Sequence, residues 1–349
     1  LKFLIPIIVF GLVITGCRKS QELPQPVYAP IPYEVDLPSH FPEMEQPADN
    51  PMTVQGVYLG RHLFWDDRLS GDNTMACADC HLPQYAFSDN NATSVGIDGV
   101  FGTRNSMVLQ NLAWSNDFFW DGRAVTLEEQ VLMPVEDPIE MHESWSHFMN
   151  EIRDDETYKT LFFEAFGVVA FDSTHAAKAL AQFLRSMVSC NSKYDKILEG
   201  TATFTIQEQA GFDSFNALSG GDCFHCHGGS LTTDFSYKNN GLDAVPLDSG
   251  RGRVTGDPAD YFTFKVPPLR NLEYSAPYMH DGRFATIDEV INHYSVGLEH
   301  TSPNISPLME FSAQGGVQLD PQERAELKAF LMTFSDPDFI NNPDFRNPW

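Results

Sequence analysis

Two pentapeptides constrain this chain more than any other feature: Cys77-Ala78-Asp79-Cys80-His81 and Cys223-Phe224-His225-Cys226-His227. Each is a C-x-x-C-H sequence, the attachment pattern for c-type haem. The two thiols can add to the two vinyl groups of one porphyrin, and the adjacent His can turn its imidazole onto the iron. One match is a weak signal. Two matches, using four of the six cysteines, form a strong one. Zinc is the nearest rival, because a Cys pair with further Cys or His ligands is zinc-like. Thioredoxin-like redox chemistry is another, but its C-x-x-C needs no following His. The chain is therefore read as carrying two covalently bound haem c groups, with His81 and His227 as proximal iron ligands.

The acidic balance narrows the partners. Lys and Arg total 22 against 48 Asp and Glu, a formal charge of −26. Binding of nucleic acid needs basic patches, so that class is excluded. An acidic surface steers a basic partner towards it, although solubility alone accounts for the charge equally well.

The first residues read as an export leader. Lys2 precedes an apolar run from Phe3 to Ile14, broken by Pro6 and Gly11 and too short to span a bilayer. Leu12-Val13-Ile14-Thr15-Gly16-Cys17 resembles a bacterial lipobox. That makes residues 1–16 a signal peptide and Cys17 the lipid anchor to a membrane. The alternative is an ordinary cleaved signal with a chance Cys. Bacteria attach c-type haem outside the cytoplasm, so a periplasmic location is expected. Residues 17–50, rich in Pro, Gln, Glu and Asp, read as a flexible tether. Cys190 falls in an apolar helical run and reads as a buried free thiol.

The apolar spacing predicts a mostly α-helical protein. Thr53 can cap a helix to about Trp65, with Val57, Leu63 and Phe64 facing inward. Ser173 to Ser189 is amphipathic, with Leu180, Phe183, Leu184, Met187 and Val188 on one face. Thr126-Leu127-Glu128-Glu129 and Thr205-Ile206-Gln207-Glu208 are capping boxes. The helix opened by the first should stop before Pro134. Asp320-Pro321-Gln322-Glu323 opens a last helix that buries Leu327, Phe330, Leu331 and Phe334. The length suggests two tandem cytochrome c-like domains, 51–200 and 201–349, each built around one haem motif.

The halves echo each other beyond those motifs. Arg104-Asn105, Asp121-Gly122-Arg123 and Thr126-Leu127-Glu128-Glu129-Gln130 recur as Arg270-Asn271, Asp281-Gly282-Arg283 and Thr286-Ile287-Asp288-Glu289-Val290. From Asp121 onward the offset is constant, and it places Trp120 on His280 and Pro134 on Tyr294. Pro has no donor group, whereas Tyr can ligate iron through its phenolate. An asymmetric pair follows: one haem open on its distal side, the other closed by a protein ligand. Tyr294 is the candidate for that ligand, with Met279, His280, His293 and Met309 as competitors.

These residues resemble the bacterial dihaem cytochrome c peroxidase superfamily. The resemblance rests on Phe119-Trp120-Asp121-Gly122-Arg123, Leu127-Glu128-Glu129-Gln130, Pro138-Ile139-Glu140-Met141, Pro268-Leu269-Arg270-Asn271 and Ala276-Pro277-Tyr278-Met279-His280. It implies that the His81 haem reacts with peroxide and that the His227 haem relays electrons. It further implies that Gln130 and Glu140 are the polar residues of the distal pocket and that Trp120 couples the haems. A Ca²⁺ between the domains would be held by the Asn105 side chain and the Ser275 and Pro277 carbonyls, which are hard oxygen ligands. Two positions depart from the usual peroxidase pattern. Ile97 stands where those enzymes carry a blocking His, and Tyr294 stands where they carry Met. The MauG type shares both departures, as it shares Pro134; that enzyme oxidises a precursor protein to complete a tryptophan-derived cofactor.

The expected function is a peroxidase that reduces H₂O₂ with electrons from a small redox protein, a cytochrome c or a cupredoxin. Glu140 would move the proton of bound peroxide and Gln130 would hold the peroxide by hydrogen bonding. His142 could assist, although a solvated His is the simpler reading. A MauG-like oxidase acting on a partner protein and a non-enzymatic dihaem electron carrier are the alternatives.

Overall fold

The computed structural model describes residues 27–349, so Cys17 and the leader lie outside the described residues. Six longer helices carry the architecture: α1 (Val54–Phe64), α2 (Glu156–Phe166), α3 (Ser173–Ser186), α4 (Ile206–Asn216), α5 (Ile287–Val296) and α6 (Pro321–Leu331). The rest is short helical turns and loops, with one two-stranded antiparallel sheet among the described residues. In it β1 (Tyr237–Lys238) pairs with β2 (Phe264–Lys265), and Tyr237 lies opposite Lys265. The expected mostly helical fold is what forms.

Side-chain caps set the helix starts. Thr53 accepts the Gly56 N–H at 3.0 Å. Thr205 with Glu208, Thr286 with Glu289 and Asp320 with Glu323 each form a reciprocal capping box, satisfying N–H groups that have no partner inside the helix. At Thr126 the reciprocity differs: Glu129 reaches past it to the Val125 N–H at 3.0 Å. The amphipathic helix ends at Ser186 rather than Ser189, so Cys190 sits beyond it, half-buried in extended chain.

Two apolar clusters form. The first gathers Leu59, Leu63 and Phe64 of α1, Phe162 of α2, and Leu180, Phe183 and Leu184 of α3. The second gathers Phe215 of α4, Ile291 of α5, and Leu327, Phe330 and Leu331 of α6. Each is built on a close helix crossing made possible by one glycine. A Cβ on Gly60 of α1 would lie 2.0 Å from the Ala179 carbonyl oxygen of α3. A Cβ on Gly211 of α4 would lie 2.0 Å from the Glu326 carbonyl oxygen of α6. The repeat extends to the loops. Phe118 bridges Ala124 and Tyr278 bridges Phe284, with Phe119 and Met279 both at positive φ (68° and 75°).

The halves part company at Pro134. The first capped helix stops at Gln130, and Pro134 is the second residue of a separate turn, Met133–Glu136. Pro lacks an N–H, and its ring would clash with the carbonyl four residues back, which is that of Gln130. At the matching Tyr294 nothing interrupts the helix, and α5 runs on to Val296.

A buried charge cluster joins distant segments. Arg270, 1% exposed, donates through both terminal nitrogens to Asp195, also 1% exposed, at 2.8 and 2.6 Å. Ser192 and His40 bond the same carboxylate, and Arg270 Nε donates to the Ser230 carbonyl at 2.8 Å. Burial works against the charge of Asp195, but the Arg270 guanidinium with Ser192 and His40 holds its pKa at about 2. Residues 27–50, read from composition as flexible tether, are therefore laid along the protein. His40 reaches Asp195, Phe41 is buried, and Asn50 donates to Glu128 at 2.6 Å and to the Lys178 carbonyl at 3.1 Å. At the other end, Phe339 and Phe345 return to the first cluster.

Replacing Gly60 or Gly211 with Val is expected to cost at least about 2 kcal/mol by overpacking, read as a lowered melting temperature. Arg270→Ala strands a buried carboxylate and is expected to cost roughly 3–5 kcal/mol. Because the folded pKa of Asp195 lies below its unfolded value near ~4, its contribution is complete above ~4. It is lost as pH falls through about 2, which acid titration of wild type against the variant measures.

Candidate functional site

Both C-x-x-C-H segments fold as a single helical turn, Cys77–Cys80 and Phe224–His227. Each His is then oriented by backbone. His81 Nδ1 donates to the Phe87 carbonyl at 2.8 Å, and His227 Nδ1 donates to the Thr232 carbonyl at 3.1 Å. A proton fixed on Nδ1 leaves Nε2 with the lone pair a metal needs. Burial lowers the pKa of both rings and keeps them neutral. Burial also pushes the thiols up, Cys77 and Cys223 to about 12 and Cys80 and Cys226 to about 11. Each Cys pair is followed directly by a His whose Nε2 is left free, which is the donor set covalent haem uses.

A largely apolar cavity opens beside the second motif. Cys223, Cys226 and His227 line it, and Tyr294, Met279, His280 and Met309 project into it from other segments. The competitors for the distal position separate here. His293 is turned away, with Nε2 on the Asn240 carbonyl at 3.1 Å, and His280 stacks on Phe264 at 3.6 Å. Tyr294 accepts a hydrogen bond from Asn240 Nδ2 at 3.0 Å. Burial pushes the Tyr294 phenol up to about 12, with Asn240 opposing it.

On the first half a more open cleft is lined by Phe119, Arg123, Met133, Pro134, Asp137 and Glu140, among others. Burial, and then the neighbouring Asp137 carboxylate, push the Glu140 pKa up to about 7, with Arg123 opposing. The Glu140 charge is felt at both Cys77 and Cys80, which places it on the side of the first motif. Ile97 is fixed beside it, since the Ile97 N–H donates to the Glu140 carbonyl at 3.0 Å. Gly96 permits that approach: a Cβ there would lie 2.2 Å from the Ile139 carbonyl oxygen. Gln130 does not line the cleft; it ends the short Leu127–Gln130 helix half-buried. His142 is exposed and bonded to Asp98 at 2.6 Å.

One loop separates the two spaces. Phe119 lines the Glu140 cleft, and the next residue, Trp120, lines the cavity of the second motif. Trp120 is held there by its Nε1, which donates to the Asn105 carbonyl at 2.8 Å, and by its own carbonyl, which accepts from the Lys265 N–H at 2.8 Å. Asn105, Ser275 and Pro277 also line this cavity. The Asn105 side chain donates to the Asn91 and Ala92 carbonyls at 3.0 and 3.3 Å.

Comparison with known proteins decides the family. Residues 54–203 match the family model described as di-haem cytochrome c peroxidase. The methylamine utilization protein MauG of Methylophilus methylotrophus is 35% identical over 82% of this chain and 84% of its own. The chain belongs to the di-haem cytochrome c peroxidase family. Cytochrome c peroxidase Ccp of Escherichia coli K12 is 33% identical over 78% of this chain and 61% of its own. Among solved structures, a MauG-like protein associated with microbial copper homeostasis superposes with a TM-score of 0.85 at 34% identity, covering 91% of this chain and 99% of that one. The family implies haem as the cofactor, and the two motif sites are where this chain offers the thiols and neutral imidazoles to hold it.

Asn240 was not visible from the sequence as part of this site, because it sits in a loop with no motif around it. The Ile97–Glu140 contact was equally hidden, being backbone to backbone. Replacing Cys223 and Cys226 together with Ala is expected to halve the covalent haem per chain, measured by pyridine haemochrome, while the His81 site keeps its own.

Proposed function

We propose that peroxide is reduced in the Glu140 cleft, with Cys77, Cys80 and His81 as the residues that would hold the haem supplying the reactive iron and Cys223, Cys226 and His227 as those that would hold an electron-relaying haem. One peroxide, two protons and two electrons give two waters. The observation that carries this reading is Glu140: a carboxylate with a pKa raised to about 7, lining a cleft and near enough to Cys77 and Cys80 for its charge to act on both. Haem bound there supplies an iron able to coordinate peroxide and to deliver electrons to it. Glu140, ionised, can take the proton from one peroxide oxygen and return it to the other, and a pKa near neutrality suits both transfers. Pro134 and Ile97 offer no ligating atom, which leaves the cleft free for peroxide. Phe119 and Met133 add apolar wall beside the charged residues of the cleft. Gln130 would hold peroxide only after its side chain swings towards the cleft.

Trp120, lying in the wall between the two spaces, is the candidate conduit for electrons. Tyr294 is the candidate distal ligand of the second haem, and a phenolate there favours ferric iron. Asn105 with the Ser275 and Pro277 carbonyls is the candidate Ca²⁺ site beside Trp120. The electron donor is a small, basic cytochrome c or cupredoxin drawn by the acidic surface. The setting is the periplasm, with the anchor at Cys17. Among the described residues no helix is long and apolar enough to cross a membrane.

A second reading is a MauG-like oxidase acting on a partner protein. Tyr294 in the second cavity and the similarity to MauG favour it. Turnover of peroxide with reduced cytochrome c or cupredoxin supports the peroxidase; failure with every small donor favours the protein oxidase.

The enzyme is expected to rest with one high-spin ferric haem by EPR, and spectra showing only low-spin haem would sink the open cleft. Glu140→Gln is expected to lower the rate of reaction with peroxide by about 10²-fold or more. In wild type that rate should rise with pH through about 7, as the carboxylate ionises, and then level off. The variant should lose this limb. An electron carrier would be indifferent to the substitution.

A further inference from the structure

We infer that Asn240 is a positioning residue that selects Tyr294 over Met279 as the group presented to the second haem. This rests on Tyr294 as distal ligand. The Asn240 amide is shared between the two competitors: Nδ2 lies 3.0 Å from Tyr294 Oη and 3.5 Å from Met279 Sδ. An amide NH₂ has two hydrogens and can serve both. The consequences for the two acceptors differ. Either acceptor keeps a lone pair for a metal, but a phenolate is an anion and a thioether is neutral. An N–H donor stabilises the charged oxygen strongly and the weakly accepting sulfur little, and it lies nearer the oxygen. The same contact therefore favours the tyrosine, in its ligating form, over the methionine.

The Asn240 backbone is fixed independently of its side chain. Its carbonyl accepts from His293 Nε2 at 3.1 Å, from the residue before Tyr294 on α5. The preceding Asn239 is buried; its Oδ1 accepts the Gly241 N–H at 2.8 Å and its Nδ2 donates to the Pro303 carbonyl at 2.8 Å. A substitution at Asn240 therefore removes the amide and leaves the turn.

In the haem-loaded protein, Asn240→Leu is expected to weaken the tyrosinate signature in resonance Raman spectra and raise the reduction potential of the second haem. A thioether-to-iron charge-transfer band should appear in Asn240→Leu and vanish when Met279→Leu is added. Asn240→Asp, close in shape but without the donor, should weaken the signature at least as much. It provides the test even if the Leu variant fails to fold. A variant that keeps the wild-type signature and potential overturns the role of Asn240. Tyr294→Phe separates the two claims. If it leaves the spectrum unchanged, Tyr294 is not the ligand and both claims fall. If it removes the signature while the Asn240 variants keep it, only the selection fails.

Discussion

Arg270 has almost no contact with water, so its charge has to be answered within the protein. Asp195 does this with both carboxylate oxygens, and the arrangement recruits segments far apart in sequence: His40, Ser192 and the Ser230 carbonyl. Phe41 lies against the guanidinium, 4.8 Å from its carbon. A buried ion pair contributes little net stability compared with apolar residues of the same size, but leaving one partner alone is costly. Its value here is positional. Ser230 belongs to the loop that follows His227, and Asn271, next to Arg270, bonds Gln110 and Ser189 of the first half. The loop beside the second haem motif is thus tied to the first half through groups that cannot be left unpaired.

Within that frame, one repeated scaffold yields two different sites. The turns around Phe119 and Met279 match in backbone angle, and both lead into Thr-capped helices. What differs is local chemistry. Pro134 interrupts the helix in the first half and offers no ligating group at the position where the repeat has Tyr294. At the same place Tyr294 lets α5 continue and puts a phenol into the cavity. A single residue type changes both the helix and the chemistry. This is why the asymmetry could be anticipated from an alignment of the two halves.

Much of the fold was legible because it rests on short-range rules. Caps at Thr53, Thr205 and Asp320 and the apolar face of α3 follow from spacing alone. The haem motifs were legible because attachment chemistry demands fixed residue types at fixed intervals. What stayed hidden depends on contacts across the chain. Composition gave no sign that residues 27–50 would be held down, since His40, Phe41 and Asn50 are isolated anchors without periodicity. Gln130 was placed by its match to a family position, and the break at Pro134 leaves it outside the wall of the cleft. Asn240 gains meaning only because α5 brings Tyr294 against it.

Phe119 and Trp120 are joined by one peptide bond, yet their side chains line different spaces. The partition between the two chemistries is therefore a single thickness of backbone. A backbone shift on one side is therefore expected to be felt on the other. Substitutions on opposite sides should combine non-additively, as they do for residues in contact. Such a partition also constrains drift over evolution. Residues facing Phe119 and residues facing Trp120 are thereby coupled, although they line different spaces.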